Sequence, residues 1–151
     1  MPKSYTNSAY YSIRLTSRFL KVFTSQLLEK LKAGISPDEV FVLDILKNKG
    51  EMSQRDLAKL LFKDRANTGK IAMSLKNKGL IDISAEQKNN RLIKQLSLTK
   101  NGIELLNSLW EKSKPVFDKI SRQFTKQEDE LLQNMLLKLR TGLSSVIESQ
   151  I

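Results

Sequence analysis

Neither cysteine nor histidine occurs in this chain of 151 residues. The first absence excludes disulfides, thiolate metal sites and redox sensing through cysteine. The second removes the commonest metal ligand and the commonest general base. No pair of carboxylates clusters in a way that suggests acid–base chemistry, so an enzyme is the least favoured class, and no metal or cofactor is expected. Proline is scarce, at three residues, and no linker, repeat or low-complexity tract interrupts the chain. No window approaches the roughly 18 consecutive apolar residues of a membrane span, and residues 1–11 lack a signal peptide's apolar core. The expected location is the cytoplasm.

What the chain does have is charge of one sign. The formal net charge is +10, and 40% of residues are hydrophobic, enough for a globular core. A domain of this length can bury roughly 68–70% of its unfolded surface. Residues 55–100 hold eleven Lys/Arg against four Asp/Glu, whereas 1–54 hold eight against five and 101–151 seven of each. Such concentration on one compact module suits a polyanion, because each phosphate neutralised releases condensed counterions. Membrane-surface binding would need one helix with an apolar face and a basic face. Here the bases fall on several short elements, and no membrane partner is expected.

Helical spacing of Ile13, Leu15, Phe19, Leu20, Phe23, Leu27 and Leu31 predicts a helix over 8–32, with Gly34 as its stop. Ser36-Pro37-Asp38-Glu39 reads as N-cap, proline at the first helical position and capping-box glutamate. Ser53 caps a third helix and Asp64 a fourth, whose inward stripe is Thr68, Ile71, Ala72 and Leu75. Alternation predicts strands over 80–84 and 93–98, joined by a polar loop over 85–90. Thr99 caps a long helix to about Phe124, which Pro115 should kink or split. Thr125-Lys126-Gln127-Glu128 is a second capping box, opening a final helix to about Glu148. That helix is apolar around much of its circumference, more than one contact face needs. Dimerisation is the simplest reason. The predicted fold is mainly α with a small β-wing. It is a single domain over 1–151, with a winged helix-turn-helix at 36–99 flanked by dimerisation helices at 1–35 and 100–151.

In its motifs the chain resembles the MarR (multiple antibiotic resistance regulator) family of bacterial transcription factors. The resemblance rests on Ile35-Ser36-Pro37-Asp38-Glu39-Val40, Met52-Ser53-Gln54-Arg55-Asp56-Leu57-Ala58, Asp64-Arg65-Ala66-Asn67-Thr68, Leu75-Lys76-Asn77-Lys78-Gly79-Leu80-Ile81 and Leu96-Ser97-Leu98-Thr99-Lys100-Asn101-Gly102, in that order. Two departures stand out. The family's Asp-x-Arg wing signature is replaced by Lys88-Asn89-Asn90-Arg91-Leu92, which puts Arg91 one residue off the usual distance to Leu98. Gly69 also stands in the recognition helix where a polar side chain is usual; either it lets backbone approach DNA closely or it is plain drift.

If Thr68, Ile71, Ala72 and Leu75 face inward, Arg65, Ala66, Asn67, Lys70 and Ser74 face outward. Arg65 and Lys70 can donate to guanine, Asn67 can pair with adenine, and Ala66 can accept a thymine methyl; solvated cations or phosphate contacts are the plainer reading. Gln54, Arg55 and Lys63 lie near helix starts, where phosphate is favoured. Lys88 and Arg91 can reach a minor groove, and Lys94 can anchor phosphate. The expected function is that of a sequence-specific DNA-binding regulator acting as a homodimer on a pseudo-palindromic operator. The resemblance implies repression, and release by a small aromatic or anionic effector held near Phe19, Phe23, Phe41 and Trp110. On helical apolar faces those aromatics are otherwise plain core. The alternative is a winged helix serving as a protein-interaction or architectural module, with non-specific DNA binding only.

Overall fold

A computed structural model describes residues 4–149 apart from 62. The order of elements is α1 (Ala9–Lys30), α2 (Pro37–Lys49), β1 (Met52–Ser53), α3 (Gln54–Leu61), α4 (Arg65–Asn77), β2 (Ile81–Lys88), β3 (Arg91–Leu98), α5 (Lys100–Ser121) and α6 (Lys126–Ser149), preceded by a 3-10 turn at Tyr5–Asn7. This is the expected mainly α winged helix-turn-helix. The chain divides into two compact units, Met1–Lys112 and Ser113–Ile151.

In the first unit, α2, α3 and α4 enclose one apolar core with the sheet. Val42, Leu43, Leu57, Ala72, Leu75, Leu80, Ile81, Leu96 and Leu106 are buried together. Thr68 is buried with them and donates its hydroxyl proton to the Asp64 carbonyl at 3.0 Å. The inward stripe of α4 is therefore as read, with Ile71 only partly buried.

Local rules account for most boundaries. Ser36 and Glu39 form the expected capping box, as do Thr125 and Glu128. Ser53 does two jobs: Asp56 N–H donates to its hydroxyl at 3.1 Å, while its backbone pairs with Gln95 as the end of β1. That strand was not foreseen, because two residues are too few to show alternation. α1 does not stop on Gly34. Lys32 takes the left-handed conformation (φ 51°), with Lys32 N–H on the Glu29 carbonyl and Ala33 N–H on that of Leu28. α5 runs unbroken through Pro115, ending at Ser121 rather than near Phe124.

The wing is longer than predicted. β2 and β3 pair in register from Ile81↔Leu98 to Lys88↔Arg91, so residues 85–88 belong to a strand and not to a loop. Only Asn89 and Asn90 remain for the turn, both at positive φ (50° and 58°), which is the type I′ hairpin geometry. Asparagine tolerates that conformation because its short side chain bonds its own backbone. Strand β3 is central, in the order β1-β3-β2.

Gly102 shows why the end of the wing is followed by a glycine. A Cβ there would lie 2.2 Å from the Leu80 carbonyl oxygen, so the first turn of α5 sits directly on backbone. Gly102→Ala should destabilise by about 1–3 kcal/mol or more, since backbone cannot move aside as a side chain can. Lys32→Gly should stabilise by about 1 kcal/mol by relieving the left-handed penalty. Thermal unfolding of the two variants, with melting temperature shifted in opposite directions, checks both.

Candidate nucleic-acid interface

The outward side of α4 begins with a well-formed cap. Asn67 donates its backbone N–H to Asp64 Oδ1 at 2.8 Å and its Nδ2 to Oδ2 at 2.7 Å. These bonds, the backbone one foremost, hold the Asp64 carboxyl below the usual carboxylate range. One Nδ2 proton and Oδ1 of Asn67 stay uncommitted, which is the pair of groups adenine recognition uses. Arg65, Ala66 and Lys70 are exposed on the same helix. Gly69 does not lie on an open face: a Cβ there would come 3.1 Å from Gln54 Nε2. Its lack of a side chain makes room for Gln54 at the α3–α4 crossing.

Beside α4 runs an open groove between the start of α3 and the wing. Its walls carry six bases, Arg55, Lys59, Arg65, Lys88, Arg91 and Lys94, against two acids, Asp56 and Glu86. The fold thus brings together residues up to 39 positions apart. Lys59 was counted in the sequence only as charge; helical periodicity, one turn on from Arg55, is the signal that could have found it. Lys88 and Arg91 stand directly opposite each other across the ladder. Like charges so placed repel unless an anion lies between them.

Two candidate residues are engaged elsewhere. Lys63 Nζ lies 3.3 Å from Asp38 Oδ2, both partly exposed. Ser74, half-buried, donates its hydroxyl proton to Glu39 Oε1 at 2.6 Å. It points to α2 and not outward, because α2 crosses α4 on that side. Glu39, only 5% exposed, also accepts from Lys78 Nζ at 2.9 and 2.8 Å and from Ser36 N–H at 2.7 Å. Burial pushes its carboxyl up, but the bonds from Lys78, Ser74 and Ser36 outweigh this, and it lies below the ordinary glutamate value.

The aromatic candidates lie on three helices: Phe19 and Phe23 on α1, Phe41 on α2 and Trp110 on α5. Phe19, Phe41 and Trp110 are 69%, 55% and 55% exposed, so they are not plain core within one chain. Among the described residues no group of three acids could hold a metal ion, and no helix is long and apolar enough to cross a membrane.

This arrangement, a capped outward helix flanked by a basic wing groove, defines a winged-helix class found in known proteins. The model of the MarR family matches residues 35–93, from before α2 into β3. No curated protein matches closely enough to serve as a relative. Among solved structures, the S. aureus MepR–DNA complex is similar at 23% identity and TM-score 0.71, over 93% of this chain and 99% of that one. A MarR protein from Peptoclostridium difficile is similar at 17% identity and TM-score 0.78, over 96% and 93%. Apo MarR from E. coli is similar at 16% identity and TM-score 0.70, over 87% and 96%. At these identities the likeness to single structures is one of fold. The chain thus has a winged-helix fold, and its residues 35–93 match the sequence pattern of the MarR family.

Because the Glu39 carboxyl is lowered on folding, its contribution is present above the unfolded-state value and lost as pH falls through the lower folded one. Melting temperature should therefore fall on acidification through the carboxylate range. Glu39→Gln should show a shallower acid limb in the same titration by circular dichroism.

Proposed function

We propose that the chain is a DNA-binding transcriptional regulator, working in the cytoplasm as a homodimer on a pseudo-palindromic operator. The observation that carries this reading is the joint placement of Arg65, Ala66, Asn67 and Lys70 outward on a capped helix, next to the groove lined by Arg55 and the wing bases. The N-terminal half of such a helix is the part that enters a major groove, and the wing then lies over the adjacent minor groove. The solved DNA complex of S. aureus MepR, with a similar fold, supports duplex DNA as the partner. Lys63 keeps Asp38 and meets a phosphate with its remaining ammonium protons. Lys94 anchors phosphate, and Arg91, opposite Lys88 at the turn, is aimed by a tight hairpin rather than a mobile loop.

A second copy covers the apolar faces that one chain leaves exposed. Leu15, Leu20 and Val22 on α1, Val116 and Ile120 on α5, and Leu131, Met135 and Leu143 on α6 are all exposed. Two-fold symmetry then sets the two α4 helices one DNA turn apart, about 34–36 Å. Repression follows from occluding polymerase. A small aromatic or anionic effector near Phe19, Phe23, Phe41 and Trp110 releases DNA if it prefers a dimer with the wrong spacing.

Selection from random duplexes should enrich an inverted repeat. On that site Lys70→Ala should cost about 1–3 kcal/mol in a gel-shift titration and relax base choice at one position per half-site. Light scattering at micromolar concentration should give twice the chain mass. Enrichment of no motif, or a monomer, would refute the reading.

A further inference from the structure

The two capping boxes of this chain form an internal comparison. At the start of α6, Glu128 accepts the Thr125 N–H at 2.8 Å and stays exposed. At the start of α2, Glu39 accepts the Ser36 N–H at 2.7 Å with the same local geometry, yet it is buried. Capping alone does not require burial. A buried carboxylate is costly unless its oxygens are filled, and both oxygens of Glu39 are filled from α4 or its C-cap: Ser74 on Oε1, and Lys78 on each. Among the described residues Glu39 is the only buried charged side chain.

We infer that Glu39 is a positioning residue for DNA recognition, a strut from the first turn of α2 that fixes the tilt and rotation of the recognition helix. This role rests on the DNA-reading function proposed above. Ser74 and Lys78 are one turn apart on one side of the helix, so a carboxylate bonded to both resists rotation about the helix axis. Its chain neighbour Asp38 meets Lys63 just before the helix begins, at 3.3 Å. One anchor near the end of a rod leaves a pivot; two, towards opposite ends, define its direction. Side-chain tips lie about 5–6 Å from a helix axis, so a rotation of about 20° would move Asn67 or Lys70 by about 2 Å, enough to break a hydrogen bond to a base. Apolar contacts from Ala72 and Leu75 give burial but little angular preference, because they are not directional. Buried ionic groups contribute little net stability beside an apolar replacement of the same shape. What this one supplies is a single orientation.

Glu39→Asp separates reach from charge. It keeps the net charge and removes nothing that faces DNA, but it is one methylene too short to keep its bonds to α4. Affinity of the folded variant for a site selected by the natural protein should fall about tenfold, the scale of one mismatched base pair. Affinity for an unrelated duplex, and its salt slope, should not change. Lys78→Met, which removes the other end of the strut, should give the same split and decides the matter if the first variant does not fold. Folded variants with undiminished discrimination would overturn the role. So would equal loss on both duplexes with a salt slope lower by about one, which would make Lys78 a phosphate contact. If the natural protein itself enriches no motif, the DNA-reading function falls and takes this role with it. A motif with unaffected variants removes the role alone.

Discussion

A helix that reads a surface must be held from behind by groups that do not touch that surface. In this chain the holding is done by the inward stripe of α4, where Thr68, Ala72 and Leu75 are buried against α2, α3 and the sheet. Dispersion and apolar burial keep the helix on the body, and directional bonds to Glu39 choose among the ways it could lie there. The outward cations depend on both. Arg65 and Lys70 carry charge wherever they are, but only a backbone whose angle does not wander presents them in one fixed direction.

Charge and shape are separable contributions. The surplus of bases within 55–100 would attract a polyanion in any conformation. The groove between α3 and the wing turns that attraction into a surface, since it collects bases from α3, α4 and both wing strands. Two acids remain inside it, Asp56 and Glu86, and Asp56 is tied to the Ser53 hydroxyl at 2.8 Å. Its presence there follows from its duty at the start of α3.

The apolar faces make the complementary case. Within the second unit, Val116 and Ile120 on α5 and Leu131 and Met135 on α6 stay exposed. A helix pair that buries so little of its apolar area gains little from folding alone. The charge of residues 101–151 sums to zero, which removes one obstacle to bringing two copies of that segment together.

Periodicity, caps and composition were enough, in the sequence by itself, to determine the identity of the six main helices, the inward stripe of α4, the existence of a wing and the basic character of one lobe. Each of these depends on neighbours within a few residues: Ser36 with Glu39, Thr125 with Glu128, Thr68 with Ala72 and Leu75. Tertiary structure decided what depends on distant partners. The strand at Met52–Ser53 exists because β3 lies beside it, and the wing reaches Lys88 because pairing with β3 outweighs the polar sequence of 85–88. Ser74, read as outward from spacing alone, is turned to Glu39, and Gly69 answers to Gln54. Glu39 itself looked complete as a cap. Its second role lies 39 residues away at Lys78, and no local rule reaches so far along a chain.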